Sequence, residues 1–255
     1  MKNETNTVPK IIHYVWLGGG EKKPEHLAFM ETWKKNLSDY EIKEWNENNF
    51  DVNCCDFIKE AYEKKKFAFV SDYIRLKVLY EYGGVYLDTD VEVLKSFDDF
   101  LSFDSVLGFE NSAYLSMGTI ISKPKQKWLK EHLDYYDRSH FINGNKLDTV
   151  PNTVKITAFL NKKFGLKMKE SRQTLDDGIE IFPCEYFSPK DFTTGKTKIT
   201  ENTYSVHRYE GSWTGGKGFL FKTLRVIRYI FGKRIFAYFT GLHMRKEAKR
   251  LGKEF

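Results

Sequence analysis

Two carboxylates, Asp88 and Asp90, stand one residue apart directly after the apolar run 85–87. In an extended chain, residues i and i+2 point to the same side, so this spacing predicts that both acids face one site. Paired carboxylate oxygens suit Mg²⁺ or Mn²⁺, which complete their coordination with water and phosphate oxygens. The pattern therefore indicates a divalent-metal site that could also bind a diphosphate. The alternative is a solvated turn with ordinary surface acids.

The residues before this acid pair predict a helix over 69–81 that ends at Gly83 and Gly84, where a left-handed turn has little steric cost. Asp72 and Arg75 lie three residues apart and share one face of that helix. The planar guanidinium of Arg75 could bind the same phosphates. A surface ion pair is the alternative interpretation.

Trp16 is predicted to end the first strand, just before three consecutive glycines at 18–20. Ligands of parallel sheets bind outside the carboxyl ends of the strands, so Trp16 is placed to contact a bound ligand. A buried core tryptophan is the alternative. His207 could be a further metal ligand or a diphosphate contact, although a lone histidine is often structural.

Alternating strand and helix patterns predict an α/β fold with a mostly parallel central sheet flanked by helices. The segment 139–151 is predicted to be a loop, and Asn152 or Thr153 is expected to cap the helix that follows. The predicted strands cover 11–16, 40–45, 85–87, 105–109, 117–122, 179–183 and 204–207, and the predicted helices cover 24–36, 55–65, 69–81, 124–134 and 153–164.

Three segments in this order resemble glycosyltransferase family 32 and the related glucosylating bacterial toxins. They read P-K-I-I-H-Y-V-W-L-G-G at 9–19, S-D-Y-I-R-L-K-V-L-Y-E-Y-G-G-V-Y-L-D-T-D at 71–90, and H-R-Y-E-G-S-W at 207–213. The resemblance implies a GT-A-type transferase of nucleotide-diphosphate sugars and a retaining reaction.

The resemblance also implies roles for individual residues. It implies Arg75, Asp88 and Asp90 as catalytic residues, and Asp88, Asp90 and His207 as ligands of Mn²⁺ or Mg²⁺. The implied donor-binding set is Trp16, Asp72, Arg75, Asp88, Ser212 and Trp213, of which the last two would cover the diphosphate. Glu210 is an alternative metal or acceptor contact.

The 255 residues, of which 41% are hydrophobic and 30% charged, suit one globular catalytic domain. Three cysteines without C-x-x-C spacing indicate neither a disulfide framework nor a zinc site. No secretory signal and no membrane-spanning run is recognised, so we expect a cytoplasmic protein.

The charge is unevenly distributed along the chain. Residues 217–255 contain eleven Lys/Arg and two Glu, which gives them a formal net charge of +9. Because the net charge of the whole chain is +6, residues 1–216 have a net charge of −3. The tail 217–255 combines its basic residues with Phe, Leu and Ile at helical spacing, which is typical of helices that bind an anionic membrane surface. The alternative is a helical pair packed on the catalytic domain 1–216. No nucleic-acid motif accompanies the charge.

These features together predict a metal-dependent hexosyltransferase that uses a nucleotide sugar, with a UDP-sugar favoured. The expected acceptor is a lipid-linked saccharide at the inner face of a bacterial membrane, as in capsule or other surface polysaccharide synthesis. The alternatives are a GDP-mannose-dependent enzyme, a protein-modifying transferase, a sugar-binding pseudo-enzyme and a metal-dependent phosphohydrolase.

Overall fold

The computed structural model describes residues 7–111, 113–191 and 194–209. The helices of this part are α1 Pro24–Asn36, α2 Asp56–Glu63, α3 Phe67–Tyr82, α4 Lys127–Asp137, α5 Asn152–Lys163 and α6 Cys184–Phe187. Its strands are β1 Ile11–Val15, β2 Glu41–Trp45, β3 Gly84–Leu87, β4 Val91–Val93, β5 Ser105–Asn111, β6 Tyr114–Leu115, β7 Thr119–Ser122, β8 Ile142–Asn143, β9 Lys146–Leu147, β10 Gln173–Thr174, β11 Ile179–Phe182 and β12 Ser205–His207.

An eight-stranded sheet forms the centre, in the order β10-β11-β5-β7-β3-β1-β2, with β6 paired to β5. Strands β1, β2, β3, β5 and β11 run in one direction, whereas β7, β6 and β10 run in the opposite one. The predicted α/β fold with a mostly parallel sheet is confirmed. Strand β7 lies between β3 and β5 and is antiparallel to both, so β3 and β5 run in the same direction and end at the same edge of the sheet.

Side chains alternate between two apolar cores, one on each face of the sheet. Val85 and Leu87 pack with α1, whereas Tyr86, which stands between them, packs with α2, α3 and α4. Neighbouring residues of β5 and β7 divide between the two cores in the same way. Because both faces are covered, these strands are almost continuously buried, and the edge formed by their ends remains for ligands.

The junction of α3 and β3 is held in a defined geometry. Gly83 ends the helix with a φ of 66°, and its N–H donates to the carbonyl of Leu79 at 2.9 Å. His13 Nε2 donates to the carbonyl of Gly83 at 2.8 Å, while His13 Nδ1 accepts from Trp45 Nε1 at 3.0 Å. A Cβ at Gly84 would lie 2.5 Å from the carbonyl oxygen of Ile11. The strand that leads to Asp88 therefore has a fixed origin.

The structure corrects three local predictions. The predicted loop at 139–151 contains a hairpin of β8 and β9 that turns at Gly144. The N-cap of α5 is Pro151, which makes no side-chain cap hydrogen bond, and not Asn152 or Thr153 as predicted. The side chain of Asn152 instead bonds to Asp72. Residues 88–91 form a turn, closed by a 3.0 Å hydrogen bond from Val91 N to Asp88 O, where an extended chain was expected.

The second, two-stranded sheet pairs β12 with β4 and places the end of β12 beside this turn. The predicted tail 217–255 and the lid residues Ser212 and Trp213 lie outside the described residues. None of the helices in the described ranges is both long and apolar enough to span a bilayer.

Candidate active site

Arg75 is the buried cation around which the site is built. Only 4% of Arg75 is exposed, because it lies on the face of α3 that is turned toward the sheet rather than toward solvent. Its guanidinium lies 3.0 Å from Asp72 Oδ1 and 3.3 Å from Asp88 Oδ1, and it donates to the carbonyl of Met117 at 2.7 Å. Burial opposes the charge of Arg75, but Asp88 and Asp72 raise its pKa, so the guanidinium stays charged. The surface ion pair considered for Asp72 and Arg75 is thus excluded by burial.

Asp72 is buried beside this cation. Burial raises the pKa of Asp72 to about 6, although the charge of Arg75 lowers it. Asn152 Nδ2, at the start of α5, donates to Asp72 Oδ1 at 2.5 Å. This contact joins α3 to α5 across 80 residues of sequence and holds the carboxylate toward Arg75.

Asp88 follows β3 and is fixed by side-chain and backbone bonds. Tyr86 Oη donates to Asp88 Oδ1 at 2.9 Å, and the N–H of Asp88 donates to the carbonyl of Gly118 at 2.9 Å. Arg75 contacts both carboxylate oxygens, Oδ1 at 3.3 Å and Oδ2 at 3.4 Å, and Oδ2 also lies close to His207.

The pairing of β4 with β12 brings His207 to Asp90. Val91 is the register partner of His207, and the N–H of Arg208 donates to the carbonyl of Asp90 at 2.9 Å. His207 Nε2 lies 3.1 Å from Asp90 Oδ1 and 4.0 Å from Asp88 Oδ2. Burial lowers the pKa of His207, but Asp90, Asp88 and Glu110 together raise it to about 9. In the absence of another cation, this imidazole is protonated at neutral pH.

Asp88, Asp90 and His207 form a group that could hold a metal ion. One ligand atom from each lies within 4.8 Å of the others. Two carboxylates with one imidazole suit Mn²⁺, and also Mg²⁺ when water completes the shell. A positive charge is stabilised here, as the raised pKa of His207 shows, and a metal ion would replace the imidazolium proton.

The small size of Gly118 makes this grouping sterically feasible. A Cβ at this position would lie 2.9 Å from His207 Nδ1 and 3.2 Å from Asp88 Oδ2. His207 Nδ1 itself is buried and has no hydrogen-bond partner in the described part of the chain. The backbone therefore approaches the metal-ligating side chains as closely as only glycine permits.

Trp16 follows β1 at the same sheet edge as Asp88, because β1 and β3 are parallel neighbours. The indole is partly exposed, so the buried core alternative is not what the structure has. Trp16 Nε1 donates to the carbonyl of Gly20 at 2.6 Å, and His26 packs edge-on against its ring at 5.4 Å. The ring is thus held at the ligand-binding edge, after the strand that neighbours the one leading to Asp88.

Two residues at the site were not predicted from the sequence. Asn152 was expected to cap a helix, and Glu110, which directly follows the predicted strand 105–109, was assigned no role. Burial raises the pKa of Glu110 to about 7, while His207 lowers it and Asp88 raises it. The signal that could have revealed Glu110 is its position as a single acid directly after the apolar run V-L-G-F at 106–109.

Comparisons with known proteins found one matching family model and several similar proteins. Residues 24–107 match the family model described as a glycosyltransferase sugar-binding region containing DXD motif. An uncharacterized glycosyltransferase of Acanthamoeba polyphaga mimivirus is 26% identical over 220 residues, which are 78% of this chain and 83% of the viral protein. A mannosyl phosphorylinositol ceramide synthase of Saccharomyces cerevisiae is 33% identical over 152 residues, 53% of this chain.

The chain spans 37% of the length of the yeast synthase. Among solved structures, a glycosyltransferase involved in the glycosylation of the major capsid of PBCV-1 is similar with a TM-score of 0.47 and 12% identity, over 78% of this chain and 93% of that one.

These findings define the class of protein: the chain is a glycosyltransferase, as predicted. Within that class, residues 24–107 match the sugar-binding region, and the matched segment contains the D-x-D sequence formed by Asp88 and Asp90. The narrower kinship to family 32 and to the toxins stays a prediction.

Proposed function

We propose that this protein is a metal-dependent, retaining GT-A-type glycosyltransferase that transfers a hexose from a nucleotide-diphosphate sugar to a hydroxyl group of a saccharide. The observation that carries the proposal is the cluster of Asp88, Asp90 and His207 beside the buried Arg75. A metal-binding group next to a fixed guanidinium is the arrangement that a departing diphosphate requires.

The roles of these residues follow from their contacts. Asp88, Asp90 and His207 would hold Mn²⁺ or Mg²⁺, which supplies positive charge to the diphosphate when bound. Arg75 adds a second, permanently charged donor, and Asp72 with Asn152 holds it in place. Because the guanidinium is already desolvated and oriented, it needs no reorganisation when charge develops on the leaving group.

Trp16 is proposed to stack on the base of the donor, and Ser212 and Trp213 to close over its diphosphate. The ring of Trp16 is partly exposed at the ligand-binding edge, which supports the first role. UDP-galactose or UDP-glucose is the default donor. The similarity to a protein named mannosyl phosphorylinositol ceramide synthase favours GDP-mannose as the second candidate.

The acceptor is proposed to be a lipid-linked saccharide in bacterial surface polysaccharide synthesis. The sequence pattern of residues 217–255, with +9 net charge among apolar residues, supports a peripheral position at the inner face of the membrane. A protein acceptor is the alternative, and liposome binding by the full chain compared with residues 1–216 tests the membrane role.

Nucleotide release from UDP-galactose, UDP-glucose and GDP-mannose, each with Mn²⁺, Mg²⁺ or EDTA, tests the proposed reaction. We expect metal-dependent release from one donor, and its loss in Asp90→Asn. The matched control is Thr89→Ala, which changes the residue between the two acids and should retain activity. Release that persists in EDTA, or equal activity of Asp90→Asn, contradicts the proposal.

A further inference from the structure

Glu110 lies at the end of β5, on the edge of the sheet that carries the acid cluster. Strands β3 and β5 run in the same direction on either side of β7, so their last residues share that edge. With a strand spacing of about 4.8 Å, the ends of β3 and β5 are roughly 10 Å apart. The segment between them is tied to both, since Asp88 N donates to Gly118 O and Ser116 N donates to Gly108 O.

A β-bulge sets the position of Glu110. Phe109 pairs with Leu115 and Asn111 pairs with Tyr114, so Glu110 is the extra residue of β5 at this point. A bulged residue is released from the regular pairing and its side chain is re-aimed, and such irregularities are frequent next to active sites. The local backbone thus departs from a regular strand at the one acidic residue of β5.

The carboxylate of Glu110 makes no hydrogen bond or ion pair with any residue in the described ranges. The charges of His207 and Asp88 nevertheless act on it, which agrees with its position at the same edge. Glu110 is partly exposed, and a carboxylate that no protein group binds is open to a hydrogen bond from a substrate hydroxyl group.

The order of elements along the edge indicates which substrate Glu110 meets. Trp16 follows β1, Asp88 follows β3, and Glu110 is the second-last residue of β5, in this spatial sequence. If the base of the donor lies at Trp16 and its diphosphate at Asp88, the transferred sugar and the acceptor lie beyond the diphosphate, on the side of β5.

We propose that Glu110 is a catalytic residue that binds the attacking hydroxyl group of the acceptor and accepts its proton. The inference rests on the proposed transferase function. In the step, the hydroxyl oxygen forms a bond to the anomeric carbon on the same face from which the diphosphate departs, so the configuration is retained. The bond from that carbon to the diphosphate breaks with its electron pair on the diphosphate, and the hydroxyl proton passes to Glu110.

The test compares Glu110→Gln with the wild-type full chain. Nucleotide release is measured with water alone and with p-nitrophenyl hexosides as nucleophiles, and the affinity for the donor with Mn²⁺ is measured separately by calorimetry. We expect kcat to fall about 100-fold with either nucleophile. The donor affinity should stay unchanged, because Glu110 does not bind the diphosphate.

Asp104→Asn is the matched control, because Asp104 precedes the opposite end of β5 and pairs with Lys123. It should leave both measurements unchanged. An unchanged kcat in Glu110→Gln overturns the proposal, and so does a loss of donor affinity equal to the loss of turnover. If the wild-type chain neither binds nor turns over any nucleotide sugar, the transferase function itself is refuted, which is a different result.

Discussion

Replacing Gly118 by alanine should weaken the metal site without unfolding the protein. The new Cβ would lie 2.9 Å from His207 Nδ1, 3.0 Å from His207 Cε1 and 3.2 Å from Asp88 Oδ2. Ordinary contacts of a Cβ begin at 3.4 Å, so the imidazole must move by about 0.5 Å. A displacement of about 0.5 Å is the largest that the side chains of a binding site generally tolerate.

That displacement falls on two proposed ligands at once, whereas the backbone of Gly118 needs no left-handed conformation. We therefore expect the Mn²⁺ affinity to fall roughly 10- to 100-fold, as disturbance of a ligand's support generally does. The overpacking should cost about 1–3 kcal/mol of the free energy of unfolding.

Calorimetric titration of Mn²⁺ in the presence of UDP measures the first effect, and urea unfolding measures the second. Gly20→Ala is the matched control, because a Cβ there would have no neighbour within 4 Å and the position has no left-handed φ. If Gly118→Ala binds Mn²⁺ as tightly as Gly20→Ala, His207 and Asp88 do not form the metal site.

Three further outcomes are expected. Arg75→Lys keeps a charge but loses the fork that reaches both carboxylates, so donor turnover should fall about 100-fold in a nucleotide-release assay; wild-type turnover would refute the role of the fork. Asn152→Ala leaves Asp72 without its neutral donor and should cost about 1–3 kcal/mol in urea unfolding, and a cost no larger than that of Thr153→Ala would contradict this. Burial lowers the pKa of His13 from 6.5 to about 4, so its contribution to stability is present above pH 6.5 and is lost as the pH falls toward 4. That loss amounts to about 3 kcal/mol, and His13→Asn should show a flatter decline in urea unfolding between pH 7 and 5.

The central helix and the acids that follow it could be predicted because their contacts are local. Asp72 and Arg75 are one helical turn apart, and the glycines after the helix specify its end. The spacing of Asp88 and Asp90 was interpreted correctly as a pair, but for the wrong geometric reason. A hydrogen-bonded turn, not strand alternation, brings these acids together.

The remaining parts of the site depend on contacts between distant segments. The bond from Asn152 to Asp72 spans 80 residues, and the pairing of β4 with β12 brings His207 to residues more than a hundred positions earlier. Local preferences contain no information on such pairings. The bulge at Glu110 likewise depends on the register of β5 with β6. Strand β6 has only two residues, so its sequence shows no alternation from which this register could be predicted.

The most direct test of the metal-dependent donor site is the thermal stability of the full chain with UDP or GDP, each with Mn²⁺ or with EDTA. A nucleotide at a hundred times its dissociation constant adds about 2.7 kcal/mol of stability. We predict that one of the two nucleotides stabilises the wild-type chain with Mn²⁺ but not with EDTA, and that Asp90→Asn abolishes this difference while Thr89→Ala retains it. Equal stabilisation with Mn²⁺ and EDTA, or none with either nucleotide, would contradict the assignment of Asp88, Asp90 and His207 as the metal site of a nucleotide-sugar transferase.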